Sequence, residues 1–212
     1  MEFINKVSLL ILMNKKIILY QEYYKKNHTY ERNLTPMYRL INTLINFKCK
    51  SLLDYGCGKG NLAELFLIKN SLKIYKYDPA IDEYKTIEKN LKVDVITNCD
   101  VMEHIPETEI DNVLKQMASI SENIFFNIYL KEAKTILPNG ENAHCTIKPS
   151  NWWINKIKKY FKEVIIIKTS YKNSVSIITW KISYKERIKL ILVNLQNYLE
   201  YLIWRSKYIF SK

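Results

Sequence analysis

Residues 52–61 read Leu-Leu-Asp-Tyr-Gly-Cys-Gly-Lys-Gly-Asn, and this stretch decides the fold. A short apolar run ends at Asp54, and three glycines then alternate with other residues. Glycine tolerates positive φ and lets a ligand approach bare backbone. Because a helical pattern follows, the stretch predicts a strand, a glycine-rich turn and a helix. That arrangement presents free backbone N–H groups to a nucleotide-type cofactor.

The spacing of the glycines distinguishes between two kinds of cofactor. The dinucleotide fingerprint is Gly-x-Gly-x-x-Gly, and Asn61 stands where its third glycine belongs. The pattern Asp-x-Gly-x-Gly-x-Gly instead resembles motif I of the class I S-adenosylmethionine-dependent methyltransferases. The resemblance implies that S-adenosylmethionine is the cofactor and that Asp54 faces its methionine end. The turn beneath the cofactor would consist of Gly56, Cys57, Gly58 and Gly60.

A second acidic residue follows the next predicted strand, residues 72–77. Asp78 lies 22 positions after Gly56, close to the ~20-residue interval at which a carboxylate meets the ribose hydroxyls in such sites. A carboxylate can accept both hydrogen bonds of a vicinal diol. An Asp-Pro pair is also ordinary turn chemistry. At this distance from the glycine turn we favour a cofactor-binding role for Asp78 and Pro79.

A third block follows a predicted strand at residues 93–98. Residues 99–106 read Cys-Asp-Val-Met-Glu-His-Ile-Pro. This block resembles the fourth-strand signature of the ubiquinone-biosynthesis type of methyltransferases, in which Asp-Val-Leu-Glu-His-Ile is common. The glycine turn and the block at residues 99–106 stand in the order that the superfamily has. The resemblance covers roughly residues 50–182.

The stretch of chain between Asp78 and the strand at residues 93–98 is shorter than the superfamily pattern requires. Only 14 residues separate Asp78 from Val93, too few for a helix, a strand and another helix. We therefore expect the usual third strand to be missing, together with the acidic residue that often holds the adenine. Adenine recognition would then fall to Cys99 and Asp100.

The resemblance implies an α/β, Rossmann-like class I methyltransferase fold. We expect a mostly parallel central sheet of six strands, helices on both faces and an antiparallel closing strand. The domain division predicted from the sequence is 1–48 for N-terminal helices that cover the cofactor, 49–183 for the methyltransferase domain, and 184–212 for a C-terminal helix.

The N-terminal part predicts two helices. Residues 16–30 are dense in tyrosine, and such a helix closes over the cofactor in many small-molecule methyltransferases, although these tyrosines could equally pack with wet hydroxyls. Residues 35–47 form the second, with Thr35 as N-cap and Pro36 at the first helical position. The apolar runs at 7–13 and 17–20 are shorter than the ~20 residues of a membrane span. We expect a non-secreted, cytoplasmic protein, in which Met13 is an alternative start.

Two histidines are the candidate catalytic residues. His104 belongs to the third block, and His144 lies in a long polar loop, residues 131–150, after the next predicted strand. A neutral imidazole can take a proton from an acceptor hydroxyl or amine as the methyl group moves. His104 could instead be a helix-start element, and His144 could hold its own loop; we favour His144 as the residue that faces the acceptor.

A metal site is the alternative for the same residues. Asp100, Glu103, His104 and His144 form a pattern similar to that of the small-RNA 3′-end methyltransferases. Mixed histidine and carboxylate ligands suit Mg²⁺, Mn²⁺ or Zn²⁺. We leave this divalent metal uncommitted, because convergence of four ligands cannot be deduced from spacing alone.

Composition and charge narrow the class of partner. The four cysteines contain no Cys-x-x-Cys pair, which favours reduced thiols over a disulfide frame or a zinc site. The net charge is +12, but the lysines are scattered along the chain. We therefore prefer a small-molecule acceptor over nucleic acid, and the oligomeric state stays open.

The C-terminal segment, 184–212, has apolar residues at helical spacing and six basic residues against two acidic ones. Such a helix can lie on a membrane surface, pack on its own domain or pack on a second subunit. Packing is the commoner outcome, and a peripheral membrane contact remains an alternative.

These features together predict an S-adenosylmethionine-dependent methyltransferase that acts on the oxygen or nitrogen of a small molecule or of a glycan or lipid intermediate. The alternatives are a metal-dependent RNA-end 2′-O-methyltransferase and a non-catalytic cofactor-binding module. The intact glycines, together with Asp54 and Asp78, favour an enzyme.

Overall fold

The computed structural model describes residues 15–26, 34–45 and 47–210 of the 212-residue chain. The first predicted helix continues into residues 27–30, and the apolar run at 7–13 with the alternative start at Met13 precedes residue 15; these lie outside the described residues. The strands are β1 Ser51–Tyr55, β2 Lys73–Tyr77, β3 Val95–Cys99, β4 Ile124–Tyr129, β5 Ile165–Ile167 and β6 Ser174–Ile178. The α-helices are α1 (residues 15–26), α2 Thr35–Leu44, α3 Leu62–Asn70, α4 Ile110–Ile120, α5 Ser150–Ile157 and α6 Tyr184–Phe210.

The six strands found in the described residues form one sheet in the order β2-β1-β3-β4-β6-β5. The four strands from β1 to β4 run parallel, and β6 is antiparallel to both β4 and β5. Between β2 and β3 the chain forms no strand or helix. The predicted Rossmann-like class I fold with six strands, a missing third strand and an antiparallel closing strand is thus confirmed.

Alternate residues of the strands point into two separate hydrophobic cores, one on each face of the sheet. Leu53, Ile96 and Phe126 face the layer formed by α4 and α5, in which Trp153 is fully buried. Their neighbours in the chain face the layer of α2, α3 and α6; these are Leu52, Val95 and Phe125. Side chains of a strand point to opposite faces in turn, so strands that are buried on both sides read as continuous apolar runs.

Helix boundaries differ from the sequence prediction where tertiary contacts intervene. The prediction that Thr35 is the N-cap of α2 is wrong: Leu34 holds that position, without a side-chain cap. The backbone N–H of Leu34 donates to Asn61 Oδ1 at 2.8 Å, so the glycine turn fixes the start of this helix. A 3₁₀ turn, Glu107–Glu109, directly precedes α4.

A candidate active site at the carboxyl edge of the sheet

The glycine turn is tied to the end of β2. The N–H groups of Gly56 and Cys57 both donate to the carbonyl of Tyr77, at 2.6 and 3.1 Å. Gly56 has a φ of +79°, and a Cβ added there would meet the Val101 side chain at 2.4 Å. Only glycine satisfies both conditions, because positive φ and the lack of space each exclude a side chain.

Gly58 stands between Tyr24 and Asp78. A Cβ on Gly58 would lie 3.1 Å from the Tyr24 hydroxyl and 3.9 Å from Asp78 Oδ2, and φ there is +49°. Its N–H donates to Asp78 Oδ2 at 2.9 Å, and Asp78 Oδ1 accepts from the N–H of Ala80. Bare backbone and a carboxylate therefore face the same space, as a cofactor with a vicinal diol requires.

Asp54 lies behind the turn. Its side chain is 4% exposed, and Oδ1 accepts from the Thr97 hydroxyl at 2.9 Å. Burial raises the pKa of its carboxyl to about 7, although the hydrogen bond from Thr97 opposes the rise. Asp54 is not among the residues that line the cavity described below. The carboxylate supports the strand end rather than reaching the space above the turn.

Cys99 ends β3 beside the turn, and Asp100 directly follows the strand. Asp100 has a φ of +56°, an uncommon conformation for a residue with a side chain. Its N–H donates to the carbonyl of Asn127, and its Oδ1 accepts from Asn127 Nδ2 at 2.7 Å. The two contacts to β4 hold this conformation and direct the chain into the 3₁₀ turn Met102–His104.

Glu103 joins that 3₁₀ turn to the long loop. Its carbonyl accepts from the N–H groups of Cys145 and Thr146, at 2.9 and 3.0 Å. Its side chain is fully buried, and Oε1 accepts from the N–H of Tyr129. Because both ends of Glu103 are engaged, the loop at residues 131–149 is held against the carboxyl ends of β3 and β4.

The two candidate histidines meet at this junction. The rings of His104 and His144 lie with their centroids 4.6 Å apart. His144 Nδ1 lies 2.6 Å from the carbonyl of Lys131, which can only accept, so Nδ1 donates. In the neutral ring the lone pair is therefore on Nε2, the atom that lies 4.0 Å from Glu103 Oε1.

Helix α1 bridges the two ends of the site. Tyr20 donates its hydroxyl proton to the carbonyl of Ala143 at 2.8 Å, and its oxygen lies 2.6 Å from His104 Nδ1. At the other end, Lys59 Nζ donates to the carbonyl of Tyr24, next to the glycine turn. An ion pair between Lys16 and Glu141 adds a contact to the loop. The described part of α1 therefore contacts both the long loop and the glycine turn, and the role of residues 16–30 as a cover stays a prediction.

The glycine turn, Asp78, the two histidines and Tyr20 line one cavity of about 540 Å³. Ten of the eleven residues predicted for the site lie on its wall: Gly56, Cys57, Gly58, Gly60, Asp78, Pro79, Cys99, Asp100, His104 and His144. The eleventh is Asp54. The sequence also missed wall residues that carry aromatic rings, namely Tyr55, Tyr77 and Tyr129. These three tyrosines end β1, β2 and β4, and a signal existed for them, because the last residue of each parallel strand lies at the ligand edge.

Burial determines the electrostatics of the wall. It raises the pKa of Asp78, while hydrogen bonds from Ala80 and Gly58 oppose the rise. Burial is also the largest cause of the raised pKa of the Cys57 thiol, followed by the neighbouring Asp54 and Asp78. The Tyr20 hydroxyl has a raised pKa for the same reason. Tyr20 and Cys57 are therefore neutral near physiological pH, and the thiol offers no nucleophile.

Three side chains at the histidine end could hold a cation. Glu103, His104 and His144 each offer a ligand atom, and these atoms lie within 4.8 Å of one another. Asp100, the fourth residue of the predicted metal set, is not part of this cluster. A carboxylate with two imidazoles is a donor set that fits Mg²⁺, Mn²⁺ or Zn²⁺.

Solved structures of methyltransferases share this fold. A 1,6-didemethyltoxoflavin-N1-methyltransferase from Burkholderia thailandensis, solved with 1,6-didemethyltoxoflavin and S-adenosylhomocysteine, is 8% identical with a TM-score of 0.56; the match covers 78% of this chain and 88% of that one. An O-methyltransferase family protein from the same organism is 13% identical with a TM-score of 0.50, covering 71% of this chain and 57% of that one. The small RNA methyltransferase HEN1 is 14% identical with a TM-score of 0.52, covering 70% of this chain and 25% of that one.

The chain spans a little more than half the length of the O-methyltransferase. No curated protein sequence matches this chain significantly. A family model described as a methyltransferase domain matches residues 24–155, the part of the chain that contains the glycine turn, Asp78 and both histidines. The chain belongs to this methyltransferase domain family, within the class I superfamily whose cofactor is S-adenosylmethionine.

Proposed function

We propose that this methyltransferase transfers a methyl group to an oxygen or nitrogen atom of a small molecule bound in the cavity of about 540 Å³. The observation that carries the proposal is that one cavity wall contains both Gly58 with Asp78 and His104 with His144. The volume lies within the ~300–1,000 Å³ that is typical of small-molecule sites.

The glycine end of the cavity is where we propose that the cofactor binds. Gly58 would lie beneath it, and Asp78 would accept the two ribose hydroxyls. Cys99 and Asp100 would border the adenine, since the third strand and its usual acidic residue are missing. Asp54 would act indirectly, because it supports the turn from behind.

The histidine end would receive the acceptor. S-adenosylmethionine carries an activated methyl group, so the protein mainly has to align the acceptor with it. His144 is held by the carbonyl of Lys131, which leaves Nε2 with its lone pair. We propose that Nε2 takes the proton of the acceptor hydroxyl or amine as the methyl group moves.

Two of the three lysines on the described cavity wall, Lys16 and Lys59, support a small acceptor over the end of a nucleic acid; the third is Lys134. Lys16 is paired with Glu141, and Lys59 donates to the carbonyl of Tyr24. Both of these lysines are engaged in holding α1, so they do not offer a row of phosphate contacts.

A titration tests the cofactor end. Asp78→Ala should weaken S-adenosylmethionine binding by ~1–3 kcal/mol, because the diol loses its acceptor. Asp82→Ala, which removes an exposed carboxylate four positions later, should leave the affinity unchanged. Isothermal titration calorimetry measures both. Equal affinities for Asp78→Ala and the parent protein would refute the assignment.

A turnover assay tests the acceptor end. S-adenosylhomocysteine release would be followed with fractionated small-metabolite and RNA extracts as acceptors. We expect turnover with the metabolite fraction, a fall of ~10²–10⁴-fold in His144→Asn, and nearly unchanged cofactor affinity in that variant. Activity confined to the RNA fraction would contradict the small-molecule proposal, and full turnover of His144→Asn would contradict the role of the histidine.

The convergence of Glu103, His104 and His144 supports a second candidate, in which the same transfer depends on a divalent cation. A cation bound there would polarise the acceptor oxygen and make it easier to deprotonate. Calorimetry with Mn²⁺ alone should then show binding that Glu103→Gln abolishes. EDTA should abolish activity, and added Mg²⁺ or Mn²⁺ should restore it. Activity that resists EDTA, without Mn²⁺ binding, would leave His144 as the base.

A further inference from the structure

One face of α6 packs on the domain. Leu190 is buried in the core formed with α2 and α3. Asn197 is also buried; it donates through Nδ2 to the carbonyl of Pro36 and accepts from Arg39. Asn194 donates to the carbonyl of Lys168. These three α6 residues recur at intervals of three and four, so they define a single face of the helix.

The opposite face of α6 is apolar and open to solvent. Leu195 and Leu199, which stand at its centre, are 53% and 50% exposed. The other members of this exposed stripe follow the same spacing: Tyr184, Ile188, Ile191, Leu192 and Leu202. The stripe runs for about five turns of the helix. Exposed apolar patches of this extent mark interaction sites in most proteins.

Basic residues border the exposed stripe on both sides. At 3.6 residues per turn, Lys185 and Lys189 lie along one border, and Arg187 and Arg205 lie along the other. The two acidic residues of α6 are engaged within the protein. Glu200 pairs with Arg39, and Glu186 accepts from Ser183 at the start of the helix. The charge beside the stripe is therefore positive.

We propose that α6 docks the enzyme onto an anionic lipid bilayer, with its axis in the plane of the surface. An apolar face bordered by Lys and Arg is the pattern of helices that lie at the boundary between headgroups and acyl chains. The stripe would enter the acyl boundary, and both basic borders would meet lipid phosphates. Among the described residues no helix is long and apolar enough to cross a membrane. The proposed contact is thus peripheral, and it is independent of the proposed methyl acceptor.

The charge pattern favours a bilayer over a second copy of the chain. Two α6 helices that paired through their stripes would bring Lys and Arg borders against each other in either orientation. Like charges that face each other across an interface are destabilising. An anionic surface, by contrast, complements both borders at once. A second copy remains a distinct outcome of the experiments below.

Vesicle flotation with the full-length chain tests the apolar face. The probe vesicles contain equal parts of phosphatidylcholine and phosphatidylglycerol, and pure phosphatidylcholine vesicles are the comparison. We expect binding to the anionic vesicles only, and loss of that binding in a Leu195→Glu, Leu199→Glu double variant. Both sites are about half exposed, so this variant should keep the parent's circular dichroism and melting behaviour. Undiminished vesicle binding by the folded double variant would overturn the proposal.

Matched charge variants test the basic borders without touching the stripe. Lys185→Gln with Lys189→Gln should weaken binding to the anionic vesicles about thirty-fold, as two surface charges imply. Lys158→Gln with Lys162→Gln removes the same charge at the end of α5, on the other side of the sheet, and should change binding much less. Added salt should weaken the parent's binding. Equal effects of the two pairs would overturn the proposal.

The parent's mass by light scattering, with and without vesicles, completes the test. We expect a mass that does not depend on α6 substitutions in the absence of lipid. A dimer that Leu195→Glu dissociates, together with no vesicle binding, would overturn the proposal and assign the stripe to a second copy.

Discussion

At Gly56 the backbone and a neighbouring side chain together leave room only for a hydrogen atom. Its φ is +79°, and a Cβ there would lie 2.4 Å from Val101 Cγ2. Gly140 has a similar φ of +85°, but nothing lies within 4 Å of its added Cβ. A comparison of alanine substitutions at the two glycines therefore separates the free-energy cost of backbone strain from the cost of a steric clash.

We predict that Gly56→Ala destabilises the protein more than Gly140→Ala does. Backbone strain should cost ~1–3 kcal/mol at either site, and the clash should add a similar amount at Gly56 alone. Combining Gly56→Ala with Val101→Ala should recover part of the stability lost to the clash and none of the stability lost to backbone strain. Urea denaturation measures all four proteins. If Gly56→Ala and Gly140→Ala are equally stable, Val101 yields to the added methyl group and the tight fit is refuted.

Individual residues differ in how far the sequence reveals them. The glycines and Asp78 could be assigned because the spacing of motif residues follows the geometry of a strand, a turn and a helix. Asp54 stands in the same motif, yet its carboxylate turns toward Thr97 on the adjacent strand. The pairing of β1 with β3 brings these residues together across 43 positions, and no local pattern encodes that contact.

At the scale of an element, α1 owes its position to the loop that it covers. Leu19 is 8% exposed and packs with Leu137 and Ala143, both of which belong to the loop. Ile18, one position earlier on the same helix, is 52% exposed. Leu19 therefore anchors the helix to the loop, and a substitution at the exposed Ile18 serves as its control.

We predict that Leu19→Ala loosens α1 from the cavity, because removing a buried leucine side chain costs ~2–5 kcal/mol. Limited proteolysis should then cut the chain before residue 34 faster than in the parent, and S-adenosylmethionine affinity should fall. Ile18→Ala should behave as the parent does. Equal cleavage rates in the two variants would mean that Leu19 does not anchor the helix.

The sequence predicted the order of elements better than their contacts. The missing third strand could be deduced because 14 residues between Asp78 and Val93 leave no room for it. The apolar spacing of 184–212 likewise predicted a helix. It could not show which apolar side chains pack inward, because α6 has apolar residues on more than one face. The polar contacts of Asn194 and Asn197 decide that question.

At the scale of the whole molecule, the buried carboxyl group of Asp54 and the hydrogen-bonded carboxyl group of Asp94 make stability depend on pH in opposite directions. Burial raises the pKa of Asp54 to about 7. Its unfolded value is ~3.9, so between these values the unfolded state binds fewer protons and stability falls as pH rises. Asp94 differs: hydrogen bonds from the N–H of Lys50 and from Ser51 lower its pKa. Its contribution is present above ~4 and is lost as pH falls through the folded value.

We predict opposite trends for two isosteric substitutions. Asp54→Asn should gain stability relative to the parent as pH rises from about 5 to about 7, at up to ~1.4 kcal/mol per pH unit. Thr97 can still donate to the amide oxygen of this variant. Asp94→Asn should be less stable than the parent at neutral pH, with a difference that shrinks below about pH 4. Thermal melts over this range measure both, and parallel curves for Asp54→Asn and the parent would contradict the raised pKa.

The missing third strand also leaves an edge of the sheet to which strands of other molecules could add. It makes β2 a sheet edge, where the backbone N–H and C=O groups on the outer side of Lys73–Tyr77 are a template for strands of other molecules. Lys73 is exposed on this edge, and Lys76 pairs with Glu64 beside it. Lysines at an edge resist such pairing, because an approaching strand would have to bury or displace their charge. The opposite edge, β5, is only three residues long. The shortened sheet is thus protected from fibril-like growth by lysine charge at the β2 edge and by the short length of the strand at the β5 edge.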